Sequence, residues 1–504
     1  MSEYEKIWKK YAYPENGSRF YRLDELKEHL LPEQLDGRIQ SCCGVPLIKE
    51  DNTVYVNNRD EHMIIFGGSG AKKTRCVIIP LMISVASAMQ SMIITDVKGE
   101  ISGNPKIRGL LEEKGYRTVF MDFRSCLSDG YNVFQAVCEK YAEGDVNNAM
   151  RILNSMISSL VDKYANANND KFWGSMSSQH LMGIITFLLE LCTHNKGYAK
   201  YMNMSTAGSF VDEDATDRLS SLIEQRYSGV DNNYIQLLRN VFSAPEKTKS
   251  SIVATSAASL RDFMLQKDLL DMLSISTFRI EDLYEKPTAV FMIIPDETSA
   301  YEMLSGFIMD CFYEQLVSCH NRKYMERKAP RNIHWICDEF CNLHINDMKS
   351  KISASRSRQM RWYLVAQSKR QLEGVYASDA SVILGNCKST LFLQSPDMEM
   401  LKYISELCGT SYSEEGREPL VTPEMLQKLK KTWAYKEGIY INDHLRSKVI
   451  LYDYDRYECL DRFAGCDTTL PVRIQQKTET YTPYRLIQDA YYKRIALPWL
   501  KEER

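Results

Sequence analysis

The sequence predicts an α/β fold: a mostly parallel sheet, an all-α domain inserted into it and a small C-terminal extension. Short runs rich in β-branched and apolar residues recur along the chain, each ending at a polar residue or tight turn and usually followed by a helical stretch. Strands alternating with helices make a buried parallel sheet. Residues 131–249 contain no such run and carry helical periodicity instead. Beyond residue 407 the alternation weakens.

Taken in order, residues 1–44 read as an irregular lead-in with one helix expected over residues 23–31. Residues 45–57 read as short strands and turns. The core runs are residues 63–66 ending at Gly67, 92–95 at Asp96 and 118–121 at Asp122. They continue with 289–294 before Pro295-Asp296, 333–337 at Asp338, 362–366 at Gln367 and 390–393 at Gln394. Ligands of such sheets sit outside the carboxyl ends of the strands, so these polar residues should gather along one edge. In the helical stretch, Ile152, Leu153, Met156, Ile157, Leu160, Val161 and Tyr164 mark one helix face. Leu181, Ile184, Ile185, Leu188, Leu189 and Cys192 mark another, with the polar segment 166–170 between them. A helix over residues 250–263 returns the chain to the core. Near the end, residues 438–442 and 447–452 alternate around 443–446 as a hairpin would, and residues 486–496 read as a terminal helix.

Composition narrows the class. The chain has 504 residues, 44% hydrophobic and 26% charged, as expected of a globular protein of about three domains. Its net charge of −3 excludes a uniformly basic nucleic-acid surface. Any DNA contact would come from local clusters: Arg322, Lys323, Arg327, Lys328 and Arg331 near Tyr324, and Lys369-Arg370. The 14 scattered cysteines, with no C-x-x-C pair, point to a reduced, cytoplasmic compartment. The first residues are charged and carry no apolar signal region. The most apolar stretch, residues 76–89, is broken by Pro80, Ser84 and Ser87 and falls short of the ~20 residues a membrane helix needs.

The chemistry is concentrated at the first core run. Gly67-Gly68-Ser69-Gly70-Ala71-Lys72-Lys73-Thr74-Arg75 follows a strand and opens a helix. That order makes a phosphate cradle of backbone N–H groups at a helix N-terminus. Lys73 would be the phosphate lysine and Thr74 the Mg²⁺ ligand. Lys72 stands where the pattern G-x-x-x-x-G-K-[ST] has glycine. A side chain there crowds the loop if the position needs a positive φ, or adds a second cation. An ordinary glycine-rich turn would share these features.

A phosphate-loop ATPase also needs a strand ending in an acid for Mg²⁺ and a carboxylate that polarises the attacking water. Two strand ends qualify, Asp296-Glu297 and Asp338-Glu339. Arg356 and Arg358 follow the second pair and could serve as fingers to a neighbouring subunit's γ-phosphate. Gln367, at the tip of the next strand, could sense that phosphate or orient water.

Together these segments resemble the type IV secretion coupling proteins, the TraG-like conjugative DNA-transfer ATPases. The matching segments are Gly67 through Arg75; Ile94-Thr95-Asp96 with Lys98, Gly99 and Glu100; Phe172-Trp173; Asp338-Glu339-Phe340 with Asn342; Arg356-Ser357-Arg358; Gln367 through Leu372; and Gly385-Asn386-Cys387. They occur in the family's order over roughly residues 45–410.

The resemblance implies a RecA/FtsK-like phosphate-loop domain in two parts, residues 45–130 and 250–410, around an all-α domain at 131–249. Residues 1–44 precede it and 411–504 form the extension. It implies ATP and Mg²⁺ as cofactors, with Lys73 on the β- and γ-phosphates and Thr74 and Asp338 on the metal. Glu339 would activate water, Gln367 would sense the γ-phosphate, and Arg356 or Arg358 would be the finger. It implies homo-hexamers that move single-stranded DNA with its relaxase, or protein cargo, into a secretion channel. Family members usually begin with membrane-spanning helices. Without one, either a partner would hold this chain at the inner face of the cell membrane or the chain would be a soluble variant. Two other functions share the motifs: a nucleotide-binding docking protein that has lost hydrolysis through Lys72, and another RecA-like helicase or packaging ATPase.

Overall fold

The computed structural model describes residues 18–492 and 495, except 36–37, 98, 166–170, 227–232, 265, 296–298, 414–415, 444 and 493–494. Expectations on residues 1–17, Lys98, 166–170, Asp296-Glu297 and most of the chain beyond Tyr492 therefore lie outside the described residues.

Residues before the first core strand form a small antiparallel sheet of β1 (Leu31–Gln34), β2 (Pro46–Glu50) and β3 (Thr53–Val56), in the order β1-β3-β2. The helix expected over residues 23–31 is shorter, Leu23–Lys27. Pro32 keeps Leu31 out of the helix, because a proline disfavours helical backbone in the residue before it. Leu31 and Pro32 enter β1 instead.

The main sheet contains β4 (Met63–Gly67), β5 (Ser91–Val97), β6 (Arg117–Asp122), β7 (Thr288–Ile294), β8 (Ile333–Cys337), β9 (Met360–Ala366) and β10 (Ser389–Gln394). All seven predicted runs are strands of this one sheet. β11 (Thr410–Ser413) and β12 (Gly416–Pro419) make a separate ribbon. The expected hairpin is β13 (Tyr435–Asn442) and β14 (Leu445–Tyr452). It is not detached from the core, because β13 pairs antiparallel with β10 and extends the main sheet. The full order is β14-β13-β10-β4-β9-β8-β5-β7-β6. From β10 to β7 every pairing is parallel.

Parallel strands need both faces covered, and the sequence supplies the residues for it. Every residue of β4, β7, β8 and β9 is buried. Trp335 on β8 lies opposite Trp362 on β9, with ring centroids 4.4 Å apart and planes at 16°. The Trp362 indole N–H donates to Ser355 Oγ at 2.8 Å, so its one polar atom is satisfied inside the core.

By contact density the chain divides into two compact units. One is Met1–Phe120 with Glu281–Ser299 and His320–Thr469, and it holds the sheet. The other is Met121–Ile280 with Ala300–Cys319 and Leu470–Arg504. In the second, helices Val146–Ala165 and Lys171–His194 pack together. They bury Ile152, Leu153, Met156, Ile157, Leu160 and Val161 on one, and Leu181, Ile184, Ile185, Leu188, Leu189 and Cys192 on the other. The helix Glu246–Met264, expected to return to the sheet domain, belongs to this unit because it packs against Lys171–His194.

Candidate functional site

β4 ends at Gly67, and the chain turns through residues 68–71 before the helix. The turn is pinned to the strand beside it: the Gly68 N–H donates to the Gln394 carbonyl at the end of β10, at 2.7 Å. The Ala71 N–H closes back on the Gly68 carbonyl at 3.1 Å. Gly70 takes φ +69°, which a glycine adopts at no steric cost. The helix opens with a π-helical turn, Thr74–Ile78, and passes into Ile79–Ser87. Pro80 accounts for the wide turn, because it has no N–H and its ring crowds the carbonyl four residues earlier.

Lys72 takes φ +64°, the left-handed conformation for which the pattern keeps glycine. That conformation costs a non-glycine residue about 1–2 kcal/mol. The Lys72 side chain does not point to the cradle as a second cation. Its Nζ donates to the Trp433 carbonyl at 2.8 Å and to Asp453 Oδ2 at 2.9 Å. Arg75, expected among the nucleotide contacts, also turns to Asp453, with two hydrogen bonds of 2.8 Å. Both side chains are drawn there by one physical cause: the Asp453 side chain is only 1% exposed and requires cations around it. Burial alone would raise the Asp453 pKa, but hydrogen bonds from Arg75 and Lys72 outweigh it and hold the carboxyl below its ordinary value. Lys431 grips the loop from another side, donating to the Gly70 carbonyl at 2.5 Å.

Lys73 and Thr74 face the other way, toward the end of β8. β9 separates β4 from β8, so the loop and the acids lie two strands apart, about 10 Å across the sheet. The side chains close that gap. Thr74 Oγ1 donates to Asp338 Oδ2 at 3.0 Å, and Lys73 Nζ lies 3.4 Å from Glu339 Oε1. Gln367, at the tip of β9, donates through Nε2 to Glu339 Oε2 at 3.2 Å. Asp338 is itself fixed: its carbonyl accepts from Thr95 on β5 at 2.8 Å. Burial, then the neighbouring Glu339 charge, push its pKa up to about 6 against the pull of Lys73 and Thr74. Of the two acid pairs open to the sequence, Asp338-Glu339 touches the loop, while Asp296-Glu297 lies outside the described residues.

These residues fit a nucleoside triphosphate with Mg²⁺. A cavity of about 680 Å³ opens beside the loop, lined by Gly68, Ser69, Gly70 and Ala71 with Gln394, Pro396 and Lys431. The Thr74 hydroxyl and Asp338 carboxylate are hard oxygen donors of the kind Mg²⁺ selects. Among the described residues no group of three or more His, Cys, Asp or Glu side chains is placed to hold a metal ion.

Other predicted residues are placed elsewhere. Asp96 accepts from the N–H groups of Ile101 and Ser102 at 2.9 and 2.7 Å, so it builds the turn after β5. Arg356 and Arg358 form a short 3₁₀ turn just before β9. They therefore sit at the amino edge of the sheet, about 20 Å of strand away from Gln367 in the same chain. Arg331 spends its guanidinium on the carbonyls of Met89 and Glu285, and Lys369 pairs with Glu373. None of the 14 cysteines is joined in a disulfide. No helix among the described residues is long and apolar enough to cross a membrane. Asp453, Lys431 and the Trp433 carbonyl were not legible in sequence, since each lies more than 350 residues from its loop partner and in no motif.

The sequence profile of the type IV secretory system conjugative DNA transfer family matches residues 24–417. The chain belongs to this family. Curated relatives within it include the type IV secretion system-coupling protein VirD4 of Bartonella quintana, 21% identical over 358 residues, or 69% of this chain and 53% of that protein. VirD4 of Bartonella henselae is also 21% identical, over 352 residues. The chain thus spans about half the length of these curated relatives. Among solved structures, the conjugative DNA-transfer fold of this chain is similar to plasmid coupling protein TrwB. Its complex with a non-hydrolysable ATP analogue matches with TM-score 0.61 and 15% identity, over 94% of this chain and 97% of TrwB. Its complex with ADP and Mg²⁺ matches with TM-score 0.60 and 14% identity, over 93% and 98%.

Proposed function

We propose that this chain is an ATP-driven coupling protein of a conjugation or secretion machine, which recruits single-stranded DNA with its relaxase, or protein cargo, to a secretion channel. The observation that carries this reading is the pair of side-chain contact sets Thr74–Asp338 and Lys73–Glu339–Gln367, assembled side by side from three strand ends in a member of this family.

The geometry supports the following roles. Gly68 through Lys73 would cradle the phosphates with backbone N–H groups, and Lys73 would exchange its Glu339 partner for phosphate oxygens. Thr74 and Asp338 would hold Mg²⁺, which supplies charge neutralisation on the β- and γ-phosphates. Released from Lys73, Glu339 is the carboxylate placed to take a proton from water. Gln367 holds that carboxylate and links it to β9, and would thereby pass the phosphate state to the strand. Arg356 or Arg358, remote from the loop of their own chain, would reach the nucleotide of a neighbouring copy in a hexamer.

The Lys72 side chain, held by Asp453 outside the cradle, supports the reading with turnover over the one without it. The test is Mg²⁺-dependent ATP hydrolysis with and without single-stranded DNA. We expect turnover that rises with DNA, and its loss by a factor of about 10² or more in Lys73→Ala. Equal activity in the two proteins would overturn the reading.

A further inference from the structure

We propose that Lys72 and Asp453 form a latch that sets the phosphate loop, with Asp453 as a positioning residue for Lys73 and Thr74. The inference rests on the nucleotide-binding reading above and names a residue that no part of the loop motif contains.

The two residues anchored to Asp453 bracket the two that face the phosphates. Lys72 reaches Asp453 Oδ2 at 2.9 Å. Arg75 reaches Oδ2 through Nε and Oδ1 through Nη2, both at 2.8 Å. With positions 72 and 75 tied to one carboxylate, Lys73 and Thr74 are left facing Glu339 and Asp338. The carboxylate is a fixed post. The Asp453 N–H donates to the Ala434 carbonyl at 2.9 Å, and its side chain accepts from the Asp455 N–H at 3.2 Å. The post thus stands at the end of β14, and the Trp433 carbonyl that also holds Lys72 precedes β13. Further ion pairs tie this segment down, Arg75 to Asp455 and Lys106 to both Asp455 and Asp461.

The latch answers the departure from the glycine pattern. A glycine would take the left-handed backbone at position 72 unaided. Lys72 takes it at φ +64° with its side chain secured outside the cradle. Asp453 should therefore matter more with lysine at position 72 than with glycine, while its hold on Arg75 is common to both.

The test is a double-mutant cycle on the full chain: the parent, Asp453→Asn, Lys72→Gly and the double variant. The first readout is hydrogen exchange of the amides at residues 67–76 in nucleotide-free protein. The second is titration with a fluorescent ADP analogue. We expect Asp453→Asn to speed loop exchange and weaken ADP binding about tenfold in the lysine background, and to have a clearly smaller effect in the glycine background, where only the Arg75 contact is lost. Equal effects in both backgrounds overturn the latch, as does no effect in the parent. If Asp453→Asn does not fold, Lys72→Met keeps the bulk and the backbone strain but removes the cation. It should loosen the loop in the same way, and parent-like exchange overturns the proposal. A parent chain that binds no nucleotide defeats the proposed function, while the exchange cycle still decides the latch.

Discussion

Glu339 sits between two groups that make opposite demands on it. Lys73 holds one carboxylate oxygen at 3.4 Å, and the Gln367 amide holds the other at 3.2 Å. Its backbone is left-handed, φ +51°, a conformation kept at functional turns when neighbours over-determine it. If Glu339 is the proton acceptor, Glu339→Gln should lower single-turnover hydrolysis by about 10²–10⁴. Nucleotide affinity should hold or tighten, because Lys73 loses its competing carboxylate. Rapid-quench hydrolysis alongside nucleotide titration separates the two effects, and a variant that hydrolyses at the parent rate would remove Glu339 from the mechanism. At this scale the sequence was informative where chemistry demands particular types at particular spacing: Lys73, Thr74, Asp338, Glu339 and Gln367 were all named from strand ends and converge here. It was silent on Asp453, because nothing local marks an acid that acts across the fold. Lys72 could therefore be read only as crowding the loop or adding a cation, and Arg75 only as part of the loop segment; their partner emerges from the end of the hairpin.

Among the elements, β9 has the most demanding position. It runs between the loop strand β4 and the acid strand β8, and Gln367 is its tip. Its placement rests on Trp362, fully buried and stacked on Trp335 of β8. Trp362→Ala should cost about 3–5 kcal/mol of stability, as large aromatic deletions in cores do. It should also lower hydrolysis more than nucleotide binding, because β9 carries Gln367 while Lys73 belongs to β4. Denaturant unfolding with activity measured well below the transition checks both; a stability loss below about 1 kcal/mol would mean that the stacked pair does not set the strand. The runs that became strands were legible because parallel strands, buried on both faces, must be apolar throughout. The order of strands was not, since period and composition do not say which strands are neighbours. The hairpin β13–β14 shows the limit. Its alternating pattern suits an antiparallel pair anywhere, and only β10's free edge decides that it completes the sheet.

At the scale of the whole molecule, stability is tied to pH through a carboxyl that serves no catalytic role. Glu33 on β1 is buried and accepts a hydrogen bond from Ser84 of the helix that follows the phosphate loop. Burial pushes its pKa from 4.5 to about 8, against weaker pulls from Ser84, Ser87 and Lys114. The folded state therefore keeps a proton that the unfolded chain releases above pH 4.5. The stabilisation is complete below that value and is lost as pH rises through the folded pKa of about 8. The slope in this window is about 1.4 kcal/mol per pH unit, the equivalent of one proton. Glu33→Gln keeps the shape and the Ser84 contact without a titrating proton. Its unfolding free energy should lack that slope between pH 6 and 8, so the variant should overtake the parent as pH rises. Denaturant titrations of both proteins at several pH values measure it. Parallel pH curves would mean that Glu33 is ionised in the folded chain. Glu33 anchors β1 to the helix Ile79–Ser87, the same helix that carries the phosphate loop at its start. Its ionisation should therefore loosen the loop before it unfolds the chain, and hydrogen exchange at residues 67–76 should rise with pH more steeply in the parent than in Glu33→Gln.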